Sequence, residues 1–245
     1  MLLCTVRDCR LPLHRDARRF VCARGHAFDV ARSGYVNLLQ PNERRSRHPG
    51  DTAEAVAARR RVWSAAAMPP LFVKGNRVLD VGCGDGYWLA SIDAPERVGI
   101  DISIPAIAAA ARRHPDCFWI VANADRFIPY SDATFDLVIS ITARMNDAEF
   151  HRVLRDDGRL LVAVPAPDDL IELRRGPQRD RVPRTIETFA SFTLLEHRRV
   201  TKKAVVDVGD VLLSSYRGTR PGDARDVTFS LDLLLFAPTP ASASA

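Results

Sequence analysis

The sequence predicts an open α/β sheet preceded by a small metal-binding module. Three observations predict this arrangement. Short apolar segments alternate with helical stretches from residue 77 onward, a glycine-rich turn (DVGCGDG, residues 80–86) ends the first of these segments, and three of the five cysteines lie within the first 22 residues. Alternation of this kind favours a parallel sheet with crossover helices.

The composition is that of a globular protein, because 47% of the 245 residues are apolar. The longest apolar stretches, such as residues 231–238, are far shorter than the roughly 20 residues that span a bilayer, and the N-terminus lacks a signal-peptide core. We therefore expect a soluble cytoplasmic protein without a membrane partner.

The formal net charge is +5, and the only lysines among the 35 basic residues are Lys74, Lys202 and Lys203. The guanidinium groups that make up the rest suit phosphate recognition. A GC-rich coding sequence would favour arginine equally well, so the charge alone does not establish an RNA partner.

A structural zinc site is predicted from four residues near the N-terminus: Cys4, Cys9, Cys22 and His26. Three thiolates and one imidazole complete the tetrahedral donor set of a structural zinc ion. The odd cysteine count and the missing secretion signal argue against disulfides. Four residues separate the first pair where two are usual, so His14 is an alternative ligand. Gly25 is expected to form the tight turn before His26.

A basic segment and a helix follow the predicted zinc module, which we assign to residues 1–40. Residues 35–39 are predicted to form a short strand, and the polar run 40–51 carries Arg44, Arg45 and Arg47. This run is either an RNA-phosphate contact or a solvated basic loop. Asp51 and Glu54 have capping-box spacing with Asp51 as the cap, which predicts a helix over residues 52–67 that joins the two modules within residues 41–76.

The second domain is predicted over residues 77–240, with a disordered tail at 241–245. Strands are expected near residues 77–81, 97–101, 118–122, 135–141 and 159–164. A helix is expected over residues 103–113, with Ser103 as its cap and Pro105 in its first turn.

The glycine-rich loop predicts a cofactor site, since ligands of doubly wound folds bind at the carboxyl ends of the strands. A glycine-rich loop alone would serve a dinucleotide equally well. Asp80 before the loop can face a cationic cofactor, Asp101 at the end of the second strand can accept ribose hydroxyls, and residues 123–125 can line an adenine. Together these positions favour S-adenosylmethionine over NAD. The predicted cofactor contacts here are Asp80, Gly82, Gly84, Asp85, Asp101, Ile102, Asn123 and Ala124. The fold class is therefore a class I, Rossmann-like S-adenosylmethionine-dependent methyltransferase with an N-terminal zinc-binding module.

An ordered series of motifs resembles the bacterial 23S rRNA (guanine-N1)-methyltransferase family, the RlmA-like enzymes that include tylosin-resistance methyltransferases. The series comprises the Cys22-x3-His26 knuckle, residues 28–29 (FD), 34–39 (GYVNLL), 45–47 (RSR), 49–51 (PGD), Glu54, 58–60 (ARR), the cofactor loop, 165–167 (PAP), 170–173 (LIEL) and 192–194 (FTL).

The resemblance implies methyl transfer to N1 of a guanine in a 23S rRNA hairpin, a zinc module that helps to dock this RNA, a dimer, and a link to macrolide resistance. It also implies two sets of contacts. The implied RNA contacts are Arg44, Arg45, Arg47, Arg59 and Arg60. Met68 and Asp169 are implied to line the cofactor pocket, at positions where the family carries tyrosine and histidine.

The departures from the family lie on the acceptor side. The family carries an aromatic residue, alanine and proline after the fourth strand, where this sequence has Thr142, Ala143 and Arg144. Thr142 and Arg144 are candidates for contacting the acceptor. Asp147 and Asp169 are conceivable general bases, and neither is assigned. Residues 214–221 align only loosely with the family. Two alternatives stay open: a different nucleotide or a small molecule as acceptor, or a non-catalytic RNA-binding relative that binds the cofactor.

Overall fold

A computed structural model describes residues 1–43, 49–215 and 224–239. The predictions for Arg44, Arg45, Arg47, residues 216–221 and the tail 241–245 lie outside this part of the chain. The strands are β1 (Leu13–Asp16), β2 (Arg19–Cys22), β3 (Ala27–Asp29), β4 (Val36–Asn37), β5 (Arg77–Val81), β6 (Glu96–Asp101), β7 (Phe118–Val121), β8 (Phe135–Ile141), β9 (Leu154–Pro165), β10 (Phe192–Asp207) and β11 (Ala224–Pro238). The α-helices are α1 (Ala53–Ala66), α2 (Ile104–Arg113), α3 (Asp147–Val153), α4 (Val182–Thr188) and α5 (Val208–Ser214).

The main sheet has eight strands in the order β10-β11-β9-β8-β5-β6-β7-β4. Strands β4 to β9 pair in parallel, whereas β11 pairs antiparallel with both β9 and β10. The chain runs from β5 outward through β6 and β7, then returns to β8 on the other side of β5. The sheet therefore reverses its strand order between β5 and β8, which is where doubly wound folds bind their ligands.

The predicted strands agree closely with the structure. Strands β5 and β8 have the bounds predicted for them, 77–81 and 135–141. Strands β6 and β7 each differ from the prediction by one residue at one end. Strand β9 is longer than predicted, because its first residue Leu154 already pairs with Phe135 of β8. Helix α2 is confirmed, with the Ser103 hydroxyl accepting a hydrogen bond from the Ala106 N–H at 3.2 Å.

Helix α1 is confirmed, but its predicted cap is wrong. Thr52 is the cap, since its hydroxyl accepts a hydrogen bond from the Ala55 N–H at 3.2 Å. Asp51 instead forms an ion pair with Arg59. The helix ends at Ala67, whose φ of 44° breaks the helical backbone just before the two prolines.

The N-terminal module packs directly on the main sheet. Strands β1, β2 and β3 form an antiparallel sheet of their own. Leu13, Phe20 and Phe28 nevertheless share one apolar core with Tyr130 and Ile128 of the large domain. Burial of this shared apolar surface fixes the module against the larger domain.

The strand predicted at residues 35–39 is shorter than expected, and it belongs to the main sheet. Only Val36 and Asn37 form β4, which pairs with β7. The Leu38 N–H continues the contact by donating to the Val121 carbonyl at 2.9 Å. Both β4 and α1 pack on the large domain. The domain boundaries at residues 40 and 76 stay a prediction.

Within the described ranges, no helix is both long and apolar enough to cross a membrane.

Candidate active site and metal centre

The four predicted metal ligands converge on one point. Their ligand atoms all lie within 4.8 Å of one another. The Cys9 and Cys22 sulfurs are 3.8 Å apart, and His26 Nδ1 lies 3.5 Å from the Cys4 sulfur and 3.4 Å from that of Cys22. A tetrahedral zinc ion with ordinary bond lengths requires S···S and S···N separations of about 3.8 and about 3.5 Å. The donor set therefore fits a structural zinc ion with four protein ligands.

The backbone explains how these residues meet. Gly25 has φ 81° and its N–H donates to the Cys22 carbonyl at 2.9 Å, which forms the expected tight turn. Asp8 and Arg10, with φ of 61° and 49°, flank Cys9 and accommodate the longer first spacing. His14 is not part of the cluster, because it lies exposed on β1.

A cavity of about 1300 Å³ opens at the carboxyl ends of the parallel strands. The predicted site residues that line it are Arg59, Gly82, Gly84, Asp85, Asp101, Ile102, Asn123, Ala124, Thr142, Arg144 and Asp169. Four strand ends therefore contribute to one cavity, as the sequence predicts. The volume accommodates a cofactor together with part of an acceptor.

The glycine-rich loop leaves space for a ligand at Gly84. A side chain built there would meet no atom within 4 Å, and the residue has φ 56°. At Gly82 the reason for glycine is different, since a Cβ would lie 2.4 Å from the Cβ of Ala143. The loop after β5 and the segment after β8 thus pack against each other.

Asp101 anchors the loop from the end of β6. Its carboxylate accepts hydrogen bonds from the Gly84 N–H at 2.9 Å and from the Ser103 N–H at 2.8 Å. Burial raises the pKa of Asp101, although these two donors act in the opposite direction. Each carboxylate oxygen retains a lone pair, so the side chain can also accept the two ribose hydroxyls of a nucleoside.

Asp80 lies buried beneath the loop and does not line the cavity. It is 1% exposed, and its Oδ2 has no hydrogen-bond partner among the described residues. Burial, followed by the negative charge of Asp101, raises the pKa of Asp80 well above its usual value. A nearby cation would relieve this unfavourable environment. The sulfonium group of S-adenosylmethionine carries such a charge, so the residues present fit this cofactor.

Met68 is not in the cavity. It is 8% exposed and packs in the apolar core behind it. Asp169 does line the cavity, but it is 8% exposed and its Oδ1 accepts the Ser230 N–H at 3.0 Å. Asp147 accepts a hydrogen bond from the Ser191 hydroxyl at 2.8 Å and does not line the cavity, so the structure gives no support to Asp147 as a general base.

Arg59 and Arg60 of α1, the predicted RNA contacts that lie within the described residues, are both held in ion pairs. Arg59 pairs with Asp51 and also donates to the Ser214 carbonyl at 2.7 Å. Arg60 lies 3.5 Å from Asp85, which is 4% exposed and also pairs with Arg113 at 3.1 Å. Removing either arginine would leave a carboxylate short of a partner, so these side chains stabilise the fold. Asp85 lines the cavity, but its charge is directed toward these arginines.

The segment after β8 is exposed and strained. Thr142 has φ 52°, a left-handed conformation that is rare for a β-branched residue. The Arg144 side chain is 81% exposed and lies 3.4 Å from Asp125. Strained backbone of this kind is concentrated at functional sites. Thr142 and Arg144 therefore stay acceptor-side candidates.

Several cavity residues escape prediction because they come from elements distant in the sequence. Trp63 of α1, Phe229 of β11, and the exposed Arg7 and Arg181 all line the cavity. No local motif marks them. Of the four, only Trp63 carried a signal: it is a tryptophan on a helix of otherwise small or charged residues.

Comparisons with known proteins agree with both parts of the site. Residues 3–47 match the family model described as "RlmA, N-terminal", a zinc ribbon, and residues 78–162 match the model described as "Methyltransferase domain". A solved structure titled "Conversion of a Disulfide Bond into a Thioacetal Group during Echinomycin Biosynthesis" superposes with a TM-score of 0.51 at 16% identity. It covers 81% of this chain and 89% of that one, and it shows the fold alone.

Two curated relatives carry related names. A putative 23S rRNA (guanine-N(1)-)-methyltransferase of Micromonospora griseorubida is 39% identical, over 67% of this chain and 66% of the relative. The chain thus spans slightly less than two thirds of that protein. A putative 23S rRNA (guanine-N(1)-)-methyltransferase of Bacillus subtilis (strain 168) is 34% identical, over 72% of this chain and 68% of the relative. With its zinc ribbon and its methyltransferase domain, the chain belongs to the family of 23S rRNA (guanine-N1)-methyltransferases.

Proposed function

We propose that the protein transfers the methyl group of S-adenosylmethionine to N1 of a guanine in a 23S rRNA hairpin. One observation carries this proposal: Arg7 of the zinc module lines the same cavity as the glycine-rich loop of the methyltransferase domain. A module that reaches the rim of the active site is placed to bind the RNA around the reacting base.

The rim of the cavity supports a polyanionic acceptor. Arg7, Arg144 and Arg181 come from three separate segments and are all exposed. Arg7 and Arg144 have nearby carboxylates, but these pairs are solvent-exposed and therefore weak. These guanidinium groups would contact phosphates that flank the target base, since such phosphates would approach the rim.

Each cofactor residue has a distinct proposed role. Asp101 accepts the ribose hydroxyls, Asn123 and Ala124 border the adenine, and the Asp80 carboxylate lies beneath the loop and balances the cationic end. The bound cofactor supplies an electrophilic methyl group. In the transfer step the N1 nitrogen would take the methyl group, S-adenosylhomocysteine would leave with the electron pair of the broken S–CH3 bond, and the N1 proton would pass to solvent water. Alignment of N1 with the methyl group is the main requirement, and positioning supplies much of the rate.

The test is transfer of labelled methyl groups to transcripts of 23S rRNA hairpins by zinc-loaded protein. We expect incorporation into one hairpin, with 16S rRNA transcripts as the negative control. Tight cofactor binding without transfer to any hairpin would overturn the proposal.

A second candidate keeps the reaction and changes the acceptor to a small molecule. The absence of a ring at residues 142–144 and the ion-paired state of Arg59 and Arg60 favour it. Transfer to free guanosine at a rate comparable to that on the hairpin would support this alternative.

Two finer proposals follow from the family. We propose a homodimer, which sedimentation of the purified protein tests. We also propose that expression raises the tylosin concentration tolerated by a susceptible host, and an unchanged tolerance despite methylated rRNA would overturn this link.

A further inference from the structure

The cavity has two halves that differ in chemistry, and the sheet order defines them. Asp101 and Asn123 lie at the ends of β6 and β7, on one side of β5. The strands on the other side are β8, β9, β11 and β10, and the first three bring Thr142, Pro165 and Phe229 to the same cavity. The cofactor half is polar, so the half above β8, β9 and β11 is left for the acceptor.

Aromatic rings line the cavity where the two halves meet: Trp63 and Phe229 come from elements on the acceptor side, and Tyr87 and Trp88 directly follow the cofactor loop. The Trp63 ring centroid lies 5.9 Å from that of Phe229, 5.6 Å from that of Trp88 and 6.0 Å from that of Tyr87. All four residues line the cavity, and Trp63 is only partly buried. Base-modifying enzymes take the target base out of its stack and place it between aromatic or apolar side chains.

We propose that Trp63 is a specificity-determining residue on which the acceptor base stacks. This inference rests on the proposed function, and it answers a question raised by the sequence: residues 142–144 supply no ring. A tryptophan has the largest ring surface among the side chains, and stacking on it is worth several-fold to more than a hundredfold in binding for each base. Purines have the largest stacking area, so a guanine fits this wall.

Helix α1 holds Trp63 in place through three consecutive arginines. Arg59 pairs with Asp51, Arg60 with Asp85 and Arg61 with Asp210 at 2.5 Å. These carboxylates belong to the segment before α1, the cofactor loop and α5, respectively. The helix is therefore tied to the segment before it, to the cofactor loop and to α5, and these contacts fix the position of Trp63 beside the cavity. A side chain that is already fixed in its bound position loses less conformational entropy when the base binds, which favours affinity.

The experiment compares Trp63→Leu with the conservative Trp63→Phe, using the zinc-loaded full chain, S-adenosylmethionine and the 23S rRNA hairpin that the wild type methylates. Leucine fills the site without a ring, so kcat/KM for the hairpin is expected to fall about 10- to 100-fold. Phenylalanine keeps a ring and is expected to retain at least a third of the wild-type value. Cofactor affinity, measured by calorimetry, should change less than twofold in both variants.

Two results would overturn the inference, and they are distinguishable. Wild-type transfer with equal kcat/KM for Trp63→Leu overturns the role of Trp63 and leaves the proposed function standing. A lack of transfer by the wild type overturns the proposed function and this inference with it. A parallel loss of cofactor affinity and transfer in both variants would show that Trp63 only maintains the fold, which also overturns the inference.

Discussion

The two halves of the cavity are built from the chain in different ways. The cofactor half comes from short segments at the ends of neighbouring parallel strands, where the Asp101 carboxylate accepts a hydrogen bond from the Gly84 N–H at 2.9 Å. The acceptor half is assembled from α1, the segment after β9, α5 and β11, and its wall is largely aromatic and aliphatic. Local sequence therefore identifies what donates the methyl group, whereas what accepts it depends on long-range packing.

We expect the largest effect from a substitution in the zinc module. Cys22→Ser removes one of four ligands, and metal binding supplies most of the folding free energy of so small a module. We expect loss of the roughly one zinc ion per chain in metal analysis, together with rapid proteolysis within residues 1–40. Cys117→Ser is the matched control, because Cys117 is a buried cysteine outside the cluster. Full zinc content in Cys22→Ser would contradict this ligand set.

The cofactor half should depend strongly on Asp101. Asp101→Ala removes an acceptor for two ribose hydroxyls and for the Gly84 and Ser103 N–H groups. We expect a loss of cofactor binding of about 1–3 kcal/mol by calorimetry. Asp156→Ala, an exposed carboxylate on β9, should leave the affinity unchanged. An affinity equal to wild type in Asp101→Ala would refute the role.

Asp80 is expected to affect cofactor binding and the stability of the cofactor-free protein in opposite directions. Burial, followed by the charge of Asp101, raises the folded-state pKa of Asp80 above the usual 3.8, so at a pH between the two pKa values the folded, cofactor-free protein holds a proton that the unfolded chain has released. The contribution of Asp80 to the free energy of unfolding is therefore fully present below its unfolded-state pKa. This contribution is lost as the pH rises through the raised pKa of the folded state.

Asp80→Asn should therefore raise the melting temperature of the cofactor-free protein at neutral pH by about 2–4 °C, which corresponds to about 1 kcal/mol. It should also weaken cofactor binding and flatten the dependence of stability on pH. Thermal scans from pH 4 to pH 8 measure this. A variant with the same melting temperature and pH profile as the wild type would remove Asp80 from the account.

A substitution at the rim of the cavity should have the smallest effect, and it should change the binding of RNA alone. Arg7→Ala is expected to weaken hairpin binding by less than tenfold and to reduce the salt dependence by about one phosphate contact. Arg155→Ala, an exposed arginine on β9 away from the cavity, is the control. A salt dependence equal to the wild type in Arg7→Ala would place the RNA elsewhere.

Sequence reasoning recovered the features that local patterns determine. The zinc ligands and the Ser103 cap follow from nearby residues and lie where expected, and the carboxyl ends of β5 to β9 lie within one residue of their predicted positions. The ion pairs of Arg59 and Arg60 were not foreseen, because it is the fold that brings Asp51 and Asp85 beside them. Trp63 was missed for the same reason, since Phe229 is 166 positions away along the chain.

The same distinction explains the error on Met68. The family resemblance implied the cofactor pocket for this position, but the left-handed Ala67 that follows α1 turns the chain into the core. Periodicity and capping predict where a helix lies along the chain. The direction in which the chain leaves it depends on tertiary packing.

The central claim is that the donor held by the cofactor half reacts with guanine N1 held by the acceptor half. Mass spectrometry of nucleosides from a 23S rRNA hairpin incubated with the protein and S-adenosylmethionine tests it most directly. The account predicts N1-methylguanosine at one position. An unmodified hairpin, or a methyl group on another atom or another base, would contradict it.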